Sequence, residues 1–253
     1  MNGLVSIVGA GPGDPGLLTL RGAERLREAD VIVYDALVRE ETLELGPPGA
    51  RRIFVGKRGG CGGGIAQSRV NRLLARLGRL ALRVVRLKGG DPFLFGRGAE
   101  EAEALAAAGV LWEVIPGVSS CLAAPAAAGI PVTDRRVSSM LTVVTGHACA
   151  ADGGGVDWER LSPKGTLVVM MGLAALPDIC ARLLDAGWPA GTPAAVVSCA
   201  GWPEESTLVC DLAGLPAAAR LQPPAAPAVI VVGQVVKMRE RLRVLQTALA
   251  GRS

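Results

Sequence analysis

The segment Arg86-Leu-Lys-Gly-Gly-Asp-Pro-Phe-Leu-Phe-Gly-Arg-Gly98 constrains the possible folds of this chain more than any other stretch. It follows an apolar run that predicts a strand over residues 82–85 and precedes an Ala-rich run that predicts a helix over residues 99–108. Gly89 and Gly90 can adopt backbone angles closed to other residues and can leave space for a ligand beside the main chain. Asp91 precedes a proline, which favours an extended backbone and fixes the aim of its carboxylate. Because ligands of open α/β sheets bind outside the carboxyl ends of the strands, we expect this loop to line a ligand site.

Short apolar runs alternate with amphipathic segments throughout the first half of the chain. We predict strands over residues 4–8, 31–34, 52–55, 82–85 and 110–115, with helices between them, among them residues 67–77. Strands that alternate with helices through short connections are typical of a parallel α/β sheet.

The second half keeps the alternation but changes its order. We predict strands over residues 141–144, 166–170, 194–198, 206–210 and 228–232, and helices over residues 176–186 and from residue 236. The short connection between the third and fourth of these strands predicts a hairpin. We therefore predict an α/β protein of two domains, residues 1–136 with a parallel sheet and residues 137–253 with a mixed sheet.

The composition restricts the classes of function. The net charge of +4, from 27 basic and 23 acidic side chains, suits an anionic small molecule and gives no argument for nucleic acid. No apolar run reaches the ~18 residues that span a bilayer, and no leader is recognisable before the first strand, so we expect a cytoplasmic protein that does not bind membranes. The six cysteines form no Cys-x-x-Cys pair, and His147 is the single histidine, so neither a zinc site nor a Ser-His-Asp triad is expected.

A dinucleotide site is one alternative, because Gly9-Ala-Gly-Pro-Gly13 resembles a Gly-x-Gly-x-x-Gly fingerprint. Asp35 also lies about 20 residues further on, where such sites carry an acidic residue. Against this, Asp14 occupies the position of the last glycine, and Pro12 has no amide hydrogen to offer a pyrophosphate. A nucleotide-binding regulator without catalytic activity therefore remains the less favoured alternative.

Polar residues follow several predicted strands. Taken singly, Asp35 and Lys57 are ordinary strand-end residues, but with Asp91, Arg97 and Ser119-Ser120 they are expected to converge on one crevice. Guanidinium groups concentrate near the same edge and suit carboxylate ligands, at Arg58, Arg86, Arg97, Arg135 and Arg136. For Arg86 and Arg136 a solvated basic rim is a reasonable alternative. Met171, which precedes Gly172 at a strand end, is interpreted equally well as core filler and as the wall of a ligand cavity.

The motifs match a known family. In chain order they are Val8-Gly-Ala-Gly-Pro-Gly-Asp-Pro-Gly-Leu-Leu-Thr19, Val33-Tyr-Asp35, Gly56-Lys-Arg58, Arg86 to Gly98, Pro116-Gly-Val-Ser119, Gly129-Ile-Pro-Val-Thr-Asp-Arg135, Val144-Thr-Gly-His147 and Met171-Gly172. From Val5 to about Val236 the chain resembles the tetrapyrrole methyltransferases. The second and third motifs and Asp91 to Arg97 resemble the uroporphyrinogen-III C-methyltransferase branch in particular.

The resemblance implies two α/β domains with a ligand cleft between them, a homodimer, and S-adenosylmethionine as the cofactor, with S-adenosylhomocysteine as its product and no metal. It implies acid–base roles for Asp35 and Lys57, a substrate-binding and catalytic role for Arg97, and substrate contacts from Arg58 and Arg135. The residues implied to contact the cofactor are Pro12, Gly89, Gly90, Asp91, Leu94, Ser119, Ser120, Met171, Ala200 and Ala228.

The implied reaction methylates uroporphyrinogen III at C2 and C7 and gives precorrin-2 by way of precorrin-1. A sibling methyltransferase that acts on a later corrin intermediate is the alternative within the family.

Overall fold

The computed structural model describes residues 3–56, 66–146 and 155–250. By its internal contacts the chain divides into two compact units, Met1–Ser119 (the first unit) and Ser120–Ser253 (the second unit). The boundary that the sequence placed near Arg136 therefore falls inside the second unit.

A five-stranded parallel sheet forms the centre of the first unit. Its strands and helices, in chain order, are β1 (Leu4–Gly9), α1 (Leu20–Arg27), β2 (Val31–Tyr34), α2 (Glu40–Leu43), β3 (Arg51–Phe54), α3 (Gln67–Gly78), β4 (Arg83–Lys88), α4 (Gly98–Ala107) and β5 (Leu111–Ile115). The spatial order is β3-β2-β4-β1-β5, and every neighbouring pair is parallel, which confirms the predicted sheet. The carboxyl ends of all five strands consequently lie at one edge.

Both faces of this sheet are buried, as a parallel sheet requires. On one face Ile7 packs with Leu74 of α3 and Leu105 of α4. On the other face Leu87 packs with Leu26 of α1. Strand β2, in the interior of the sheet, therefore carries Val31, Ile32 and Val33 at consecutive buried positions, which explains why it stands out in the sequence as a continuous apolar run.

The second unit contains a mixed sheet, as predicted. Its elements are α5 (Ser120–Ala127), β6 (Leu141–Thr145), β7 (Thr166–Met170), α6 (Leu176–Asp185), β8 (Pro193–Ser198), β9 (Ser206–Asp211), α7 (Leu215–Leu221), β10 (Ala228–Val232) and α8 (Met238–Ala250). The order is β6-β7-β10-β8-β9, with β6 and β7 parallel and the other pairs antiparallel. The predicted β8–β9 hairpin is confirmed, whereas α7 was not predicted.

Helices cover both faces of the second sheet as well. Leu183 of α6 and Leu215 of α7 join Val169 and Ile230 in one core cluster. Helix α5 contacts β7, β8 and β10. Because α5 packs on this sheet, the second unit begins at Ser120 and not after the segment that follows the helix. In the described ranges, no helix combines the length and apolar character that crossing a bilayer requires.

Candidate functional site

Three glycine-containing loops meet at the carboxyl edge of the first sheet, after β1, β4 and β5. The Gly90 amide donates to the Gly11 carbonyl at 2.7 Å, and the Gly11 amide donates back to the Gly90 carbonyl at 3.3 Å. A Cβ atom on Gly9 would lie 2.6 Å from both the Gly117 Cα and the Gly90 carbonyl oxygen. The main chains of the three loops therefore touch, which only glycine permits at this position.

The two glycines of the loop after β4 serve this packing. Gly90 has φ = +67°, in the left-handed region, and forms the bridge to Gly11. A Cβ on Gly89 would lie 2.6 Å from the Cβ of Leu37. The structure thus explains both glycines by contacts within the protein, and the space for a ligand beside them stays a prediction.

Asp91 links two of these loops. Its Oδ1 accepts a hydrogen bond from the Phe93 amide at 2.8 Å, and its Oδ2 accepts one from the Gly117 amide at 3.1 Å. The carboxylate thereby ties the loop after β4 to the loop after β5. Since an ionised carboxylate has about four acceptor sites, Asp91 retains capacity for a ligand donor.

The turn after β1 differs from a dinucleotide-binding turn. Oδ1 of Asp14 accepts the Gly16 amide at 2.7 Å and caps a single 3₁₀ turn, Pro15–Leu17. Helix α1 begins only at Leu20, where the Thr19 hydroxyl accepts the Gly22 amide at 3.2 Å, as the sequence predicts. In a dinucleotide-binding turn the glycine-rich segment leads directly into the helix, and the pyrophosphate lies at the N-terminus of that helix. The 3₁₀ turn between the glycines and α1 therefore disfavours the nucleotide-binding alternative.

Asp35 follows β2 directly and is held from two sides. Its Oδ1 accepts the Leu37 amide at 3.2 Å, and its Oδ2 lies 3.5 Å from Nη2 of Arg86. The Asp35 side chain is 24% exposed, whereas that of Arg86 is 6% exposed. The interpretation of Arg86 as part of a solvated rim is therefore wrong. Strand β4 continues to Lys88, and Arg86 points from it toward the layer formed by α3 and α4.

A buried charge cluster lies beneath Asp35. The Glu101 side chain, which is 0% exposed, accepts at Oε1 from Arg86 Nε (3.1 Å), Lys88 Nζ (3.2 Å) and Gln67 Nε2 (3.1 Å). Burial lowers the pKa of Lys88, and the like charge of Arg86 lowers it further, against the opposing effect of Glu101 and Asp35. Sequence reasoning missed this cluster. Its signal was present, because two cations at alternate positions of an apolar strand share one face.

Arg97 occupies the N-cap of α4 in the left-handed region, with φ = 58°. Its Nε and Nη2 donate to the two carboxylate oxygens of Glu100, each at 2.7 Å. This paired hydrogen bond lowers the pKa of Glu100. Phe95, two residues earlier, also has a positive φ of 53°, and strained non-glycine residues tend to collect at functional sites.

The other predicted residues of the first unit fall into two groups. Pro12, Leu94 and Ser119 are described, and Ser119 follows β5 as Asp91 follows β4. Lys57 and Arg58 lie outside the described residues, as does His147. The topology thus places Asp35, Asp91 and Ser119 after three strands of one parallel sheet, β2, β4 and β5, whose carboxyl ends share an edge. Their convergence on one crevice stays a prediction.

The second unit brings three predicted cofactor contacts to one edge of its sheet. Strands β7 and β8 both pair with β10 in antiparallel fashion, in registers that match Met170 with Val229 and Ser198 with Ala228. Met171, Ala200 and Ala228 therefore lie at the same end of three neighbouring strands. Met171 has φ = 55° and is 49% exposed, so it is not core filler.

The remaining predicted residues lie in and after α5. Ser120 is the first residue of α5. Arg135 is exposed in a turn that an Asp134–Ser138 bridge closes, and Arg136 pairs there with Asp134 at 2.7 Å, which lowers the pKa of that carboxyl. In the described ranges, no three His, Cys, Asp or Glu side chains are grouped so as to hold a metal ion.

The fold and the site define the class of protein. Residues 4–216 match the model of the Tetrapyrrole (Corrin/Porphyrin) Methylases, and the chain belongs to that family.

Among solved structures, uroporphyrin III C-methyl transferase from Thermus thermophilus is 39% identical with a TM-score of 0.78, and the match covers 93% of this chain and 99% of that one. The same identity and TM-score hold for its complex with S-adenyl homocysteine. A cobalt precorrin-4 methyltransferase is 28% identical, with a TM-score of 0.83 and coverage of 92% and 95%.

Curated relatives include the siroheme synthases of Azotobacter vinelandii and of Neisseria meningitidis serogroup C. Each is 46% identical over 95% of this chain, and the matches cover 52% and 49% of their lengths, respectively. The chain thus spans about half the length of the curated relatives it matches.

Proposed function

We propose that this chain transfers methyl groups from S-adenosylmethionine to C2 and C7 of uroporphyrinogen III and releases precorrin-2 by way of precorrin-1. The observation that carries the proposal is the match, nearly end to end, to a uroporphyrin III C-methyl transferase that binds S-adenyl homocysteine. The sulfonium of the cofactor, when bound, supplies an electrophilic methyl group. The protein has to align the reacting atoms and exclude water.

The cofactor contacts belong to two sets of loops. In the first unit the main chain at Gly89 and Gly90 and the carboxylate of Asp91 form one set, with Pro12, Leu94 and Ser119. In the second unit Met171 and the small side chains of Ala200 and Ala228 form the other, with Ser120. Small side chains suit a folded adenosine derivative, because they allow close approach. The chemistry of these residues supports their assignment as cofactor contacts.

The substrate contacts are cationic, since uroporphyrinogen III carries acetate and propionate groups. Arg58 and Arg135 bind these carboxylates, for which a guanidinium offers paired donors. Arg97 orients the substrate and does not abstract a proton, since arginine stays protonated. Asp35 and Lys57 exchange protons with the pyrrole system as the ring carbon gains its methyl group.

The direct test is incubation of the protein with uroporphyrinogen III and methyl-labelled S-adenosylmethionine. A dimethylated product is expected. Binding of S-adenosylhomocysteine without label transfer to uroporphyrinogen III would reject the substrate and favour the sibling enzyme, to which the TM-score of 0.83 points. Calorimetry that detects NAD or ATP but no S-adenosylhomocysteine would instead favour the nucleotide-binding regulator.

Arg97→Ala tests the substrate arginine. Turnover should be abolished while the dissociation constant of S-adenosylhomocysteine stays within about twofold, because Arg97 is assigned to substrate alone. Arg243→Ala is a matched control, since Arg243 forms a similar exposed pair with a glutamate three residues away, at 3.1 Å. Normal turnover of Arg97→Ala would refute the assignment. We further propose that the protein is a cytoplasmic homodimer. Light scattering tests the dimeric state.

A further inference from the structure

Glu101 is the most deeply buried acidic side chain of the cluster beneath Asp35. It is 0% exposed, and its Oε1 receives three donors, from Arg86, Lys88 and Gln67. Its Oε2 is also buried and has no hydrogen-bond partner among the described residues. A carboxylate in this position cannot touch substrate, so any role in the reaction has to pass through its neighbours.

Stability alone is a weak reason for such a cluster. Burying ions costs hydration, and well-packed apolar residues of similar volume often replace a buried ion pair without loss of stability. The four charged groups Asp35, Arg86, Lys88 and Glu101 balance one another formally, so the cluster is tolerated as a neutral set. Buried ionic groups can also serve to hold one specific geometry, and the hydrogen bonds of Arg86 show which geometry that is.

Arg86 connects the interior to the edge of the sheet. Its Nε donates to Glu101, its Nη1 donates to the Leu87 carbonyl at 3.0 Å, and its Nη2 lies 3.5 Å from Oδ2 of Asp35. The guanidinium is rigid and planar, so fixing Nε and Nη1 also fixes the position of Nη2. The exposed fraction rises along this path, from 0% at Glu101 through 6% at Arg86 to 24% at Asp35.

We propose that Glu101 is a positioning residue for the reaction, which sets the Arg86 guanidinium and through it the carboxylate of Asp35. The inference rests on the proposed function, which assigns the acid–base role to Asp35. Lys88 pairs with Glu101 and balances its negative charge, whereas Arg86 is the cation that reaches Asp35. The Leu37 amide holds the other oxygen of Asp35, so loss of the Arg86 contact leaves the carboxylate with one hydrogen bond from the described part of the chain, about which it can rotate.

Two double variants of equal charge separate positioning from folding. In Glu101→Leu/Lys88→Met, both buried charges are replaced by apolar side chains and Arg86 Nε loses its acceptor. In Glu101→Gln/Lys88→Met, the charge is the same, but a carboxamide oxygen can still accept from Nε. We expect kcat to fall about 100-fold in the leucine variant, as a displaced catalytic group does. The glutamine variant should recover to within about threefold of the wild type, with KM little changed in both.

NMR spectroscopy can follow the hydrogen bond between Arg86 Nε and residue 101 independently of enzyme activity. The side-chain Nε–Hε resonance of Arg86, assigned by its loss in Arg86→Lys, should exchange slowly with solvent in the wild type and in the glutamine variant. It should exchange at least tenfold faster in the leucine variant, because the hydrogen bond to residue 101 is gone. The carboxyl ¹³C resonance of Asp35 should shift in the leucine variant alone.

Three outcomes would overturn the proposal. One is wild-type kcat in the leucine variant, the second is an equal loss in both variants, and the third is an unchanged Arg86 resonance in the leucine variant. Failure of the proposed function is a different result. The wild-type protein would then not methylate uroporphyrinogen III, while the exchange and ¹³C measurements would still decide whether Glu101 holds Arg86 and Asp35.

Discussion

Asp91→Asn should destabilise the first unit, because asparagine cannot keep both hydrogen bonds of the wild-type carboxylate. Oδ1 and Oδ2 accept the amides of Phe93 and Gly117 at 2.8 Å and 3.1 Å. The carboxamide has one acceptor oxygen, so its NH₂ group would face one of the two amide donors. A hydrogen bond to a charged group contributes about 1.5–3 kcal/mol, and partial exposure of Asp91 favours the lower end. We expect a loss of about 1.5–2 kcal/mol in the free energy of unfolding.

Urea unfolding followed by circular dichroism measures this loss. With a typical slope of 1–3 kcal/mol per molar urea, the transition of the first unit should move by roughly 1 M. Asp14→Asn is the matched control. Asp14 is exposed and its Oδ1 accepts the Gly16 amide at 2.7 Å, which a carboxamide oxygen can also accept. That variant should stay within about 0.5 kcal/mol of the wild type.

The affinity for S-adenosylhomocysteine should fall together with stability in Asp91→Asn, because the loop after β5 loses its tie to the loop after β4. If Asp91→Asn unfolds at the same urea concentration as Asp14→Asn, the carboxylate does not hold the two loops together. A loss of affinity without a loss of stability would leave Asp91 a direct ligand contact but refute its role as a link.

Two further perturbations test the packing and the charges of the first unit. Gly9→Ala adds a Cβ 2.6 Å from main-chain atoms of Gly117 and Gly90, so the free energy of unfolding, measured by thermal denaturation, should fall by about 1–3 kcal/mol. Gly49→Ala is the control and should be neutral, because a Cβ there has nothing within 4 Å. Equal stabilities of the two variants would contradict this. Glu113 is the second test. Burial raises its pKa, but hydrogen bonds from Arg25 and Ser6 outweigh burial, so the pKa is lowered in the folded state. Ionised Glu113 therefore stabilises the fold at pH values above its ordinary pKa of 4.5, and this contribution is lost as the pH falls. The difference in free energy of unfolding between the wild type and Glu113→Gln should accordingly shrink on acidification. A difference that does not change with pH would contradict this.

Local sequence patterns were enough to predict most elements. The strands Val31–Tyr34, Thr166–Met170 and Ala228–Val232 have the predicted bounds, because four or five consecutive apolar residues between turn-forming residues leave few alternatives. The capping of α1 by Thr19 was predicted for the same local reason, since an N-cap depends only on the residues beside it. Helix α7 was missed, because its short sequence Leu-Pro-Ala-Ala-Ala-Arg-Leu has little periodicity and leaves only Leu215 buried.

The sequence by itself determined the alternation of strands and helices, the parallel first sheet and the polar residues that follow its strands, because these depend on neighbours along the chain. Only the tertiary structure decided what those residues contact. Arg86 is the clearest case. Its neighbours along the chain would be the same whether its guanidinium lay in a solvated loop or, as in the structure, was buried against Glu101 of α4. The glycines at positions 9, 90 and 117 are a second case, because the main chains that approach them come from strands far apart in sequence. Contacts between distant segments exist only after the chain has folded, so no local pattern specifies them.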